Sequence, residues 1–349
     1  MSSVSPHLRD RFARLILREQ LNCGLVSATP AIVHLPIFFS NDIGPFIESI
    51  EWLFQALRGQ PLILLCSHSF LAETHLEGSL QLGSWCAQAF PDVRLIHLCN
   101  EEKSLPRWLD HGLEAIHCNH NAFVDERVFS PLKGTTRAFR AVYDARLVPF
   151  KRHALAAQVD QLALIYYVAP ALDDLDYAEK IRRDFAHTHF FNHPNGGYER
   201  LGPAAVNECL NRCRTGLCLS DCEGAMYASI QYLLSGLGVV STPNSGGRDD
   251  FFSPDHSLSA EPTPEAVSQA VGEMLARRLD PWEVRGATLA RIQPHRNRFC
   301  ELVQSILDDH GQSRRFAEEW PRRFHNRFLA SQSHRQILQR LGRPKGVGE

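Results

Sequence analysis

Short apolar runs alternate with segments of helical hydrophobic spacing along the first part of the chain. The apolar runs have the length and composition of strands and lie at residues 31–39, 61–66, 93–99 and 113–118. Helical spacing covers residues 43–58 and 76–89, and a shorter helix is predicted at 105–111. Because the strand segments are apolar at consecutive positions, they predict a parallel sheet that is buried on both faces.

The same alternation begins again after a junction at residues 119–137. Strands are predicted at 138–143, 162–168, 187–191, 216–220 and 239–242, and helices at 153–161, 177–185, 203–213, 225–234 and 264–277. From residue 281 onward the pattern is helical.

The two series predict an α/β protein with two Rossmann-like domains. We place the first domain at residues 1–135, the second at 136–310 and a helical extension at 311–349. Open parallel sheets bind their ligands at the carboxyl ends of the strands, so we expect the two domains to face each other across a ligand-binding cleft.

Charge and hydropathy restrict the partners of the chain. Lysine and arginine total 37 against 39 aspartate and glutamate residues, which gives no electrostatic reason to expect a nucleic acid. The ten cysteines do not frame a small disulfide scaffold, and we find no signal peptide and no apolar run near the ~20 residues that span a bilayer. We therefore expect a cytoplasmic protein with at most a peripheral membrane contact.

A basic and aromatic run at residues 316–341 leaves two interpretations open. Its arginine residues alternate with Trp320, Phe324 and Phe328, a composition found on membrane-surface and nucleic-acid-binding faces. The other interpretation is a helix that packs back on the first domain. Glu318 and Glu319 interrupt the positive charge and favour packing.

Two segments have only a partial likeness to metal sites. One contains four cysteines, but their spacing is not that of the short CxxC pairs of a zinc ribbon: Cys209, Cys213, Cys218 and Cys222. The other contains Asp173, Asp174 and Asp176, which precede a predicted helix and are equally suited to capping it. We expect buried thiols at the first, a helix cap at the second and no metal.

Two cations stand where the first strand of the second domain gives way to a predicted helix. Arg146 and Lys151 are close enough in sequence to reach one anion, and the helix that we predict to start at His153 adds its partial positive end. A diphosphate fits such a site. The alternative is that both are solvated loop charges.

Two further polar turns follow strands of the same predicted sheet. Glu223 and Gly224 directly precede the predicted helix 225–234, whose first N–H groups are available to a ligand. After the next strand, Gly246 and Gly247 form another glycine-rich turn. Three such turns at one sheet edge predict a binding wall.

These residues resemble the retaining glycosyltransferases of family 4, which have the GT-B fold, and their relatives. Arg146 and Lys151 are similar to the pair that grips the donor diphosphate in that family. The stretch that begins at Glu223 is similar to its E-x7-E signature, with Gln231 at the position of the second glutamate. The likeness covers residues 142–276.

The resemblance implies a nucleotide-sugar donor, a carbohydrate or other glycan acceptor and a part in glycoconjugate biosynthesis. It implies hexosyl transfer with retention, without a cofactor or a metal. Glu223 would contact the donor sugar, and the backbone amides of Gly224, Ala225 and Met226 would approach the sugar and phosphate. Gln231 would meet the ribose, but without the charge-assisted strength of a glutamate.

Histidines provide candidates for the remaining chemistry. His68 follows a predicted strand of the first domain, where it could orient or deprotonate an acceptor hydroxyl or be a structural residue. His187, His189 and His193 surround another strand, and for these a stabilising role in the loop competes with a contact to the donor.

Two other functions remain open from the sequence. A sugar-nucleotide epimerase can share the two-domain architecture and would interconvert sugars without an acceptor. A degenerate, non-catalytic binding module is the second alternative, which Gln231 favours and the presence of Arg146, Lys151 and Glu223 opposes.

Overall fold

The computed structural model describes residues 23–37, 43–68, 72–168, 174–194, 196–323 and 332–342. These residues form two compact units. The first unit comprises residues 23–123 and 295–342, and the second unit comprises residues 124–294.

The unit boundaries differ from the predicted ones at residues 135 and 310, and local contacts explain both differences. The segment before residue 135 belongs to the second unit because the backbone N–H of Ser130 donates to Asn207 Oδ1 at 3.1 Å. At the other boundary, Phe299 packs against Phe123 with ring centroids 5.3 Å apart, so the helix residues from 295 onward belong to the first unit.

The first unit contains a five-stranded sheet in the order β1-β2-β3-β4-β5. Its strands are β1 (Gly24–Ala28), β2 (Ala31–Ile37), β3 (Leu62–His68), β4 (Val93–Cys99) and β5 (Ala115–His117). β2 to β5 are parallel, as predicted, and all seven residues of β3 are buried. β1, which lies outside the predicted strands, runs antiparallel to β2.

Three helices between these strands cover the sheet of the first unit. They are α1 (Gly44–Ala56), α2 (Ala72–Ala89) and α3 (Leu105–Asp110). The apolar positions that predicted α1 are the ones it buries, among them Phe46, Ile50 and Phe54. Phe54 packs against Trp85 of α2, with ring centroids 5.1 Å apart.

The second unit contains a six-stranded parallel sheet in the order β11-β10-β9-β6-β7-β8. Its strands are β6 (Phe139–Asp144), β7 (Leu162–Ile165), β8 (His189–Phe190), β9 (Cys213–Cys218), β10 (Gly238–Ser241) and β11 (Ser257–Ser259). The chain proceeds from β6 to β8 on one side and then continues from β9 on the other. The carboxyl ends of β6 and β9 therefore form a topological switch point, where open parallel sheets bind ligands.

Among the described residues of the second unit, four helices lie wholly within it: α4 (Leu175–Asp184), α5 (Pro203–Asn211), α6 (Tyr227–Leu234) and α7 (Pro264–Ala276). The predicted helix at 153–161 is wrong. Two short 3₁₀ turns, Pro149–Lys151 and His153–Ala156, occupy the region and are separated by Arg152 in the left-handed conformation (φ 50°). A residue with that backbone cannot continue a right-handed helix, so the helix dipole that was expected to start at His153 is absent.

The C-terminal part of the chain is helical, as predicted. It contains α8 (Pro281–Asp309), α9 (Phe316–Arg323) and α10 (His334–Arg340). In α9, Phe316 and Trp320 are buried and pack against Phe299, which agrees with a packed helix. Phe324 and Phe328 of the basic run lie outside the described residues. Among the residues that the structure describes, no helix is both long and apolar enough to cross a bilayer.

Candidate active site

A cavity of about 600 Å³ opens at the carboxyl ends of β6, β7 and β9, and its lining residues all belong to the second unit. This volume lies in the range of small-molecule sites. The residues of the predicted site that line it are Arg146, Lys151, Glu223, Ala225, Met226 and Gln231.

Lys151 and Glu223 form an ion pair in this cavity, and their side chains are only 11% and 12% exposed. Lys151 is therefore not a solvated loop charge. Ser220 Oγ donates to Glu223 Oε1 at 3.0 Å, and the backbone N–H of Glu223 donates to Asn244 Oδ1 at 2.9 Å. Since Ser220 and Asn244 lie in the turns after β9 and β10, these two turns fix the carboxylate in place.

Burial lowers the pKa of Lys151, because the ammonium loses its hydration. The carboxylate of Asp144 opposes this shift, and the contact with Glu223 also favours the charged form of the lysine. With these effects together, the pKa of Lys151 is lowered to about 7.

Arg146 lies on the same wall of the cavity. Its guanidinium carbon is 5.4 Å from the centroid of the Tyr167 ring, a cation–π distance. The turn after β6 therefore brings both predicted cations to one cavity, without the helix that was expected to assist them.

Two arginines that the sequence did not single out hold the turns together. The side chain of Arg248 is fully buried and donates to Ser220 O at 2.5 Å and to Thr242 O at 2.7 Å. Arg152 donates to Leu219 O at 2.6 Å. Carbonyl groups at the ends of β9 and β10 thus receive charged donors from other loops. The only sequence signal for Arg248 is its position directly after Gly246 and Gly247.

The glycines of the predicted site do not line the cavity. Gly224 is buried beside Glu223, and Gly247 begins the 3₁₀ turn Gly247–Asp249 that presents Arg248. Gly246 has φ 121°, a conformation that favours glycine. These residues shape the turns in the structure, and their predicted backbone contacts with a ligand stay predictions.

Helix α6 begins at Tyr227, two residues later than predicted, with Met226 as its N-cap. Methionine offers no oxygen to the first N–H groups, and no side-chain cap is present at this helix end. Ala225, Met226 and Tyr227 all line the cavity, so these amides are close to its wall. A helix N-terminus next to Lys151 is suited to an anion.

Asp144 is a cavity residue that sequence reasoning missed. It ends β6, and its backbone N–H donates to the hydroxyl oxygen of Tyr232 at 2.6 Å. Burial raises the pKa of its carboxyl group to about 7, while Lys151 favours the charged form. The predicted strand 138–143 ends directly before Asp144, and only the cations Arg146 and Lys151 of the turn that follows were predicted as site residues.

An aromatic and polar wall completes the cavity beyond β7. Tyr166 and Tyr167 line it together with Asn192, whose Oδ1 accepts the backbone N–H of Tyr166 at 2.7 Å. The Tyr166 hydroxyl is 2.6 Å from His193 Nε2. His193 thus braces a cavity residue without lining the cavity itself, and His189 stacks on Phe139.

His68 lies in the first unit with its side chain fully buried. It packs against Trp108, with ring centroids 4.6 Å apart, and its Nε2 is 3.2 Å from His97 Nδ1. Burial lowers its pKa well below the usual value. In this position the imidazole presents no surface to an acceptor, which agrees with the structural alternative.

The segments with a partial likeness to metal sites have other roles where they are described. Asp174 caps α4 by accepting the backbone N–H of Tyr177 at 2.9 Å, whereas Asp173 lies outside the described residues. Within the described part of the chain, no potential metal-binding group includes Cys209, Cys213, Cys218 or Cys222.

The two parallel-sheet units have the fold of the GT-B glycosyltransferases. Sucrose-phosphate synthase from Thermosynechococcus elongatus matches with a TM-score of 0.56 at 15% identity, over 76% of this chain and 78% of that one. HepE from Anabaena in complex with UDP matches with a TM-score of 0.53 at 12% identity, over 87% of this chain and 98% of that one. A HepE structure with UDP-glucose gives the same TM-score over 85% and 96%.

At 12 to 15% identity these similarities establish the fold and confirm the predicted fold class. No family model matches the sequence, and no curated protein matches it either.

Proposed function

We propose that this chain is a glycosyltransferase that moves a sugar from a nucleoside diphosphate sugar to a carbohydrate or other glycan acceptor. One observation carries the proposal: Arg146, Lys151, Glu223 and the N-terminus of α6 line one cavity at the switch point of a GT-B sheet. Two cations and a helix N-terminus suit a diphosphate, and a fixed carboxylate suits sugar hydroxyls.

Catalysis in this site would be electrostatic. Departure of the nucleoside diphosphate from the sugar leaves negative charge on the phosphate, which Arg146 and Lys151 would stabilise. Glu223, held by Ser220, would orient the sugar by accepting hydrogen bonds from its hydroxyls. We propose hexosyl transfer without a metal and with retention, in which the acceptor attacks from the face that the leaving phosphate occupies.

Uridine diphosphate is the first nucleotide to test, because HepE structures contain UDP and UDP-glucose. Binding is measured by calorimetry and by thermal shift with UDP, GDP and ADP in parallel. A ligand at 100 times its dissociation constant stabilises the folded protein by about 2.7 kcal/mol. If none of the three binds to the protein, the proposal fails.

An assay of the reaction products distinguishes a glycosyltransferase from an epimerase. The protein is incubated with UDP-glucose, with and without a panel of glycan acceptors, and the sugar products are analysed. Glycosyl transfer predicts acceptor-dependent release of UDP. An epimerised nucleotide sugar formed without acceptor would contradict transfer and support the epimerase.

A further inference from the structure

We infer that Asp144 binds the ribose of the donor nucleotide, its carboxylate accepting hydrogen bonds from the 2′- and 3′-hydroxyls. This inference rests on the proposed function. It assigns a role to a cavity carboxylate that the phosphate and sugar contacts of that proposal do not use.

The order of the strands places Asp144 between two chemically different parts of the cavity. Glu223 follows β9, on one side of β6. On the other side is β7, where Ile165 pairs in register with Asp144 and is followed by Tyr166. The sheet edge therefore presents a carboxylate for sugar hydroxyls, then the turn after β6 with its cations, and then an aromatic wall.

A nucleoside diphosphate sugar has its parts in the same order. If the diphosphate lies at Arg146 and Lys151 and the sugar at Glu223, the nucleoside extends towards β7. Tyr166, Tyr167 and the apolar residues of α5 that line the cavity offer flat and apolar surface to a base. The ribose then falls beside Asp144.

The position of Asp144 is fixed, although its carboxylate is not bound to other described residues. The Asp144 N–H donates to Tyr232 Oη, and the Tyr232 ring lies so close to Gly216 that an added Cβ would be 2.2 Å from it. The strand end is thus attached to α6 next to Gln231, another cavity residue. No described residue donates a hydrogen bond to the Asp144 carboxylate or forms an ion pair with it, since Lys151 pairs with Glu223.

A carboxylate in this situation is stabilised most by a ligand that has hydrogen-bond donors of its own. A carboxylate in a cavity is poorly hydrated, and hydrogen bonds to a charged group are among the strongest that a ligand can make. The vicinal hydroxyls of ribose match the two oxygens of one carboxylate. The carboxamide of Gln231 adds a neutral partner on the adjacent helix.

The test compares UDP with its 2′-deoxy and 3′-deoxy analogues by isothermal titration calorimetry. We expect the unmodified protein to bind at least one analogue about ten- to a hundred-fold more weakly than UDP, the range of a hydrogen bond to a charged group. In Asp144→Ala this ratio should fall to within about threefold, and in Asp144→Asn it should be intermediate. The ratio is the readout because removal of a negative charge also strengthens diphosphate binding, equally for all three ligands.

Asp160→Ala is the matched control. It removes the same charge from an exposed turn of the second unit outside the cavity, and we expect it to keep the UDP-to-analogue ratio of the unmodified protein. Melting temperatures check that the variants fold. If Asp144→Ala does not fold, Asp144→Asn, which preserves the shape of the side chain, provides the comparison.

The outcomes distinguish the inference from the function on which it rests. If UDP binds but the analogues bind equally well, or if Asp144→Ala keeps the full ratio while Gln231→Ala loses it, the assignment of the ribose to Asp144 is wrong and the transferase proposal stands. If no nucleoside diphosphate binds to the unmodified protein, the proposed function fails and the inference fails with it.

Discussion

At the scale of single residues, Lys151 is a buried cation whose charge depends on the carboxylate beside it. Its ion pair with Glu223 and its position in the cavity make it the strongest candidate for a phosphate contact. Arg146, whose guanidinium lies over an aromatic ring at the cavity wall, is the second.

Replacement of either cation tests the phosphate site directly. We expect Lys151→Ala and Arg146→Ala each to lower kcat/KM for the nucleotide sugar about 10- to 100-fold, since a charge-assisted contact contributes about 1.5 to 3 kcal/mol. The measurement is initial-rate kinetics of UDP release. Lys180→Ala, at an exposed position of α4, is the control and should transfer sugar at the normal rate. Unchanged kcat/KM in both cavity variants would contradict the assignment.

We expect replacement of Arg248 to lower the stability of the protein and not its affinity for ligands. Arg248→Met leaves Ser220 O and Thr242 O without their charged donor in a fully buried place, which should lower the free energy of unfolding by about 3 kcal/mol. Urea denaturation measures the change. Arg183→Met removes the same charge from a side chain that is 75% exposed and should change stability by less than about 0.5 kcal/mol. Equal effects of the two substitutions would show that the buried bonds contribute nothing.

The sequence predicted cavity residues that stand in turns and missed Asp144 at a strand end and the buried Arg248, which stabilises the turns without lining the cavity. Arg146, Lys151 and Glu223 follow apolar runs, and a polar residue at that place is visible in the pattern. Asp144 is the last residue of a strand, and Arg248 is buried although it is charged. Arg248 cannot be recognised from hydrophobic periodicity, because burial of a charged group depends on partners from distant turns. Asp144 directly follows the predicted strand 138–143, but the pattern does not show that its side chain lines a cavity.

At the scale of elements, the contact between β9 and α6 sets the position of the helix that lines the cavity. Gly216 of β9 lies against the ring of Tyr232, whose hydroxyl accepts the N–H of Asp144. A strand glycine here permits the close approach of the helix.

Substitution of this glycine should move α6. In Gly216→Ala the new Cβ would lie 2.2 Å from the Tyr232 ring, so the ring and its helix must shift, and we expect a loss of about 1 to 3 kcal/mol in the free energy of unfolding. Gly272→Ala in helix α7 meets no atom within 4 Å and should stabilise by about 0.5 to 1 kcal/mol. Chemical denaturation of both variants is the measurement, and a gain in stability from both would contradict the packing argument.

Elements with a regular hydrophobic period were predicted well, and irregular ones were not. β4 has its predicted bounds, and α7 ends one residue before its predicted end. The helix predicted at 153–161 is absent because Arg152 has a left-handed backbone and its side chain bonds to the turns after β9 and β10. Hydrophobic periodicity does not reveal this conformation. β1 and β11 are short edge strands with too few residues to show a pattern.

At the scale of the whole molecule, the two units differ in their buried ionisable groups. In the first unit, burial is the main cause of a low pKa for four histidines: about 3 for His34, about 3 for His97, about 4 for His120 and well below the usual value for His68. His120 lowers the pKa of His34 further. In the second unit, burial raises the pKa of Asp144 to about 7, but it also lowers the pKa of His153 to about 3 and the pKa values of His189 and His256.

These shifts predict a larger loss of stability in the first unit than in the second when the pH is lowered. A histidine whose folded pKa is below the value of about 6.5 in the unfolded chain binds fewer protons when folded, so its contribution to stability is full above pH 6.5 and is lost as the pH falls towards 4. Asp144, with a folded pKa above its unfolded value, binds more protons when folded and gains stability over part of the same range.

We therefore expect the first unit to lose stability before the second when the pH is lowered from 7 to 5.5. Four histidines at about 1 kcal/mol each give a loss of about 4 kcal/mol in the first unit over that interval, whereas in the second unit the gain from Asp144 offsets part of the loss from His153. Hydrogen exchange of the backbone amides, measured at both pH values and corrected for the intrinsic rate, should show reduced protection in β2 to β4 and a smaller change in β6 and β9. His97→Phe removes one of the four titrating groups and should reduce the pH dependence of protection in the first unit by about a quarter. Equal loss of protection in both units, or an unchanged pH dependence in His97→Phe, would show that the buried imidazoles do not control the acid response.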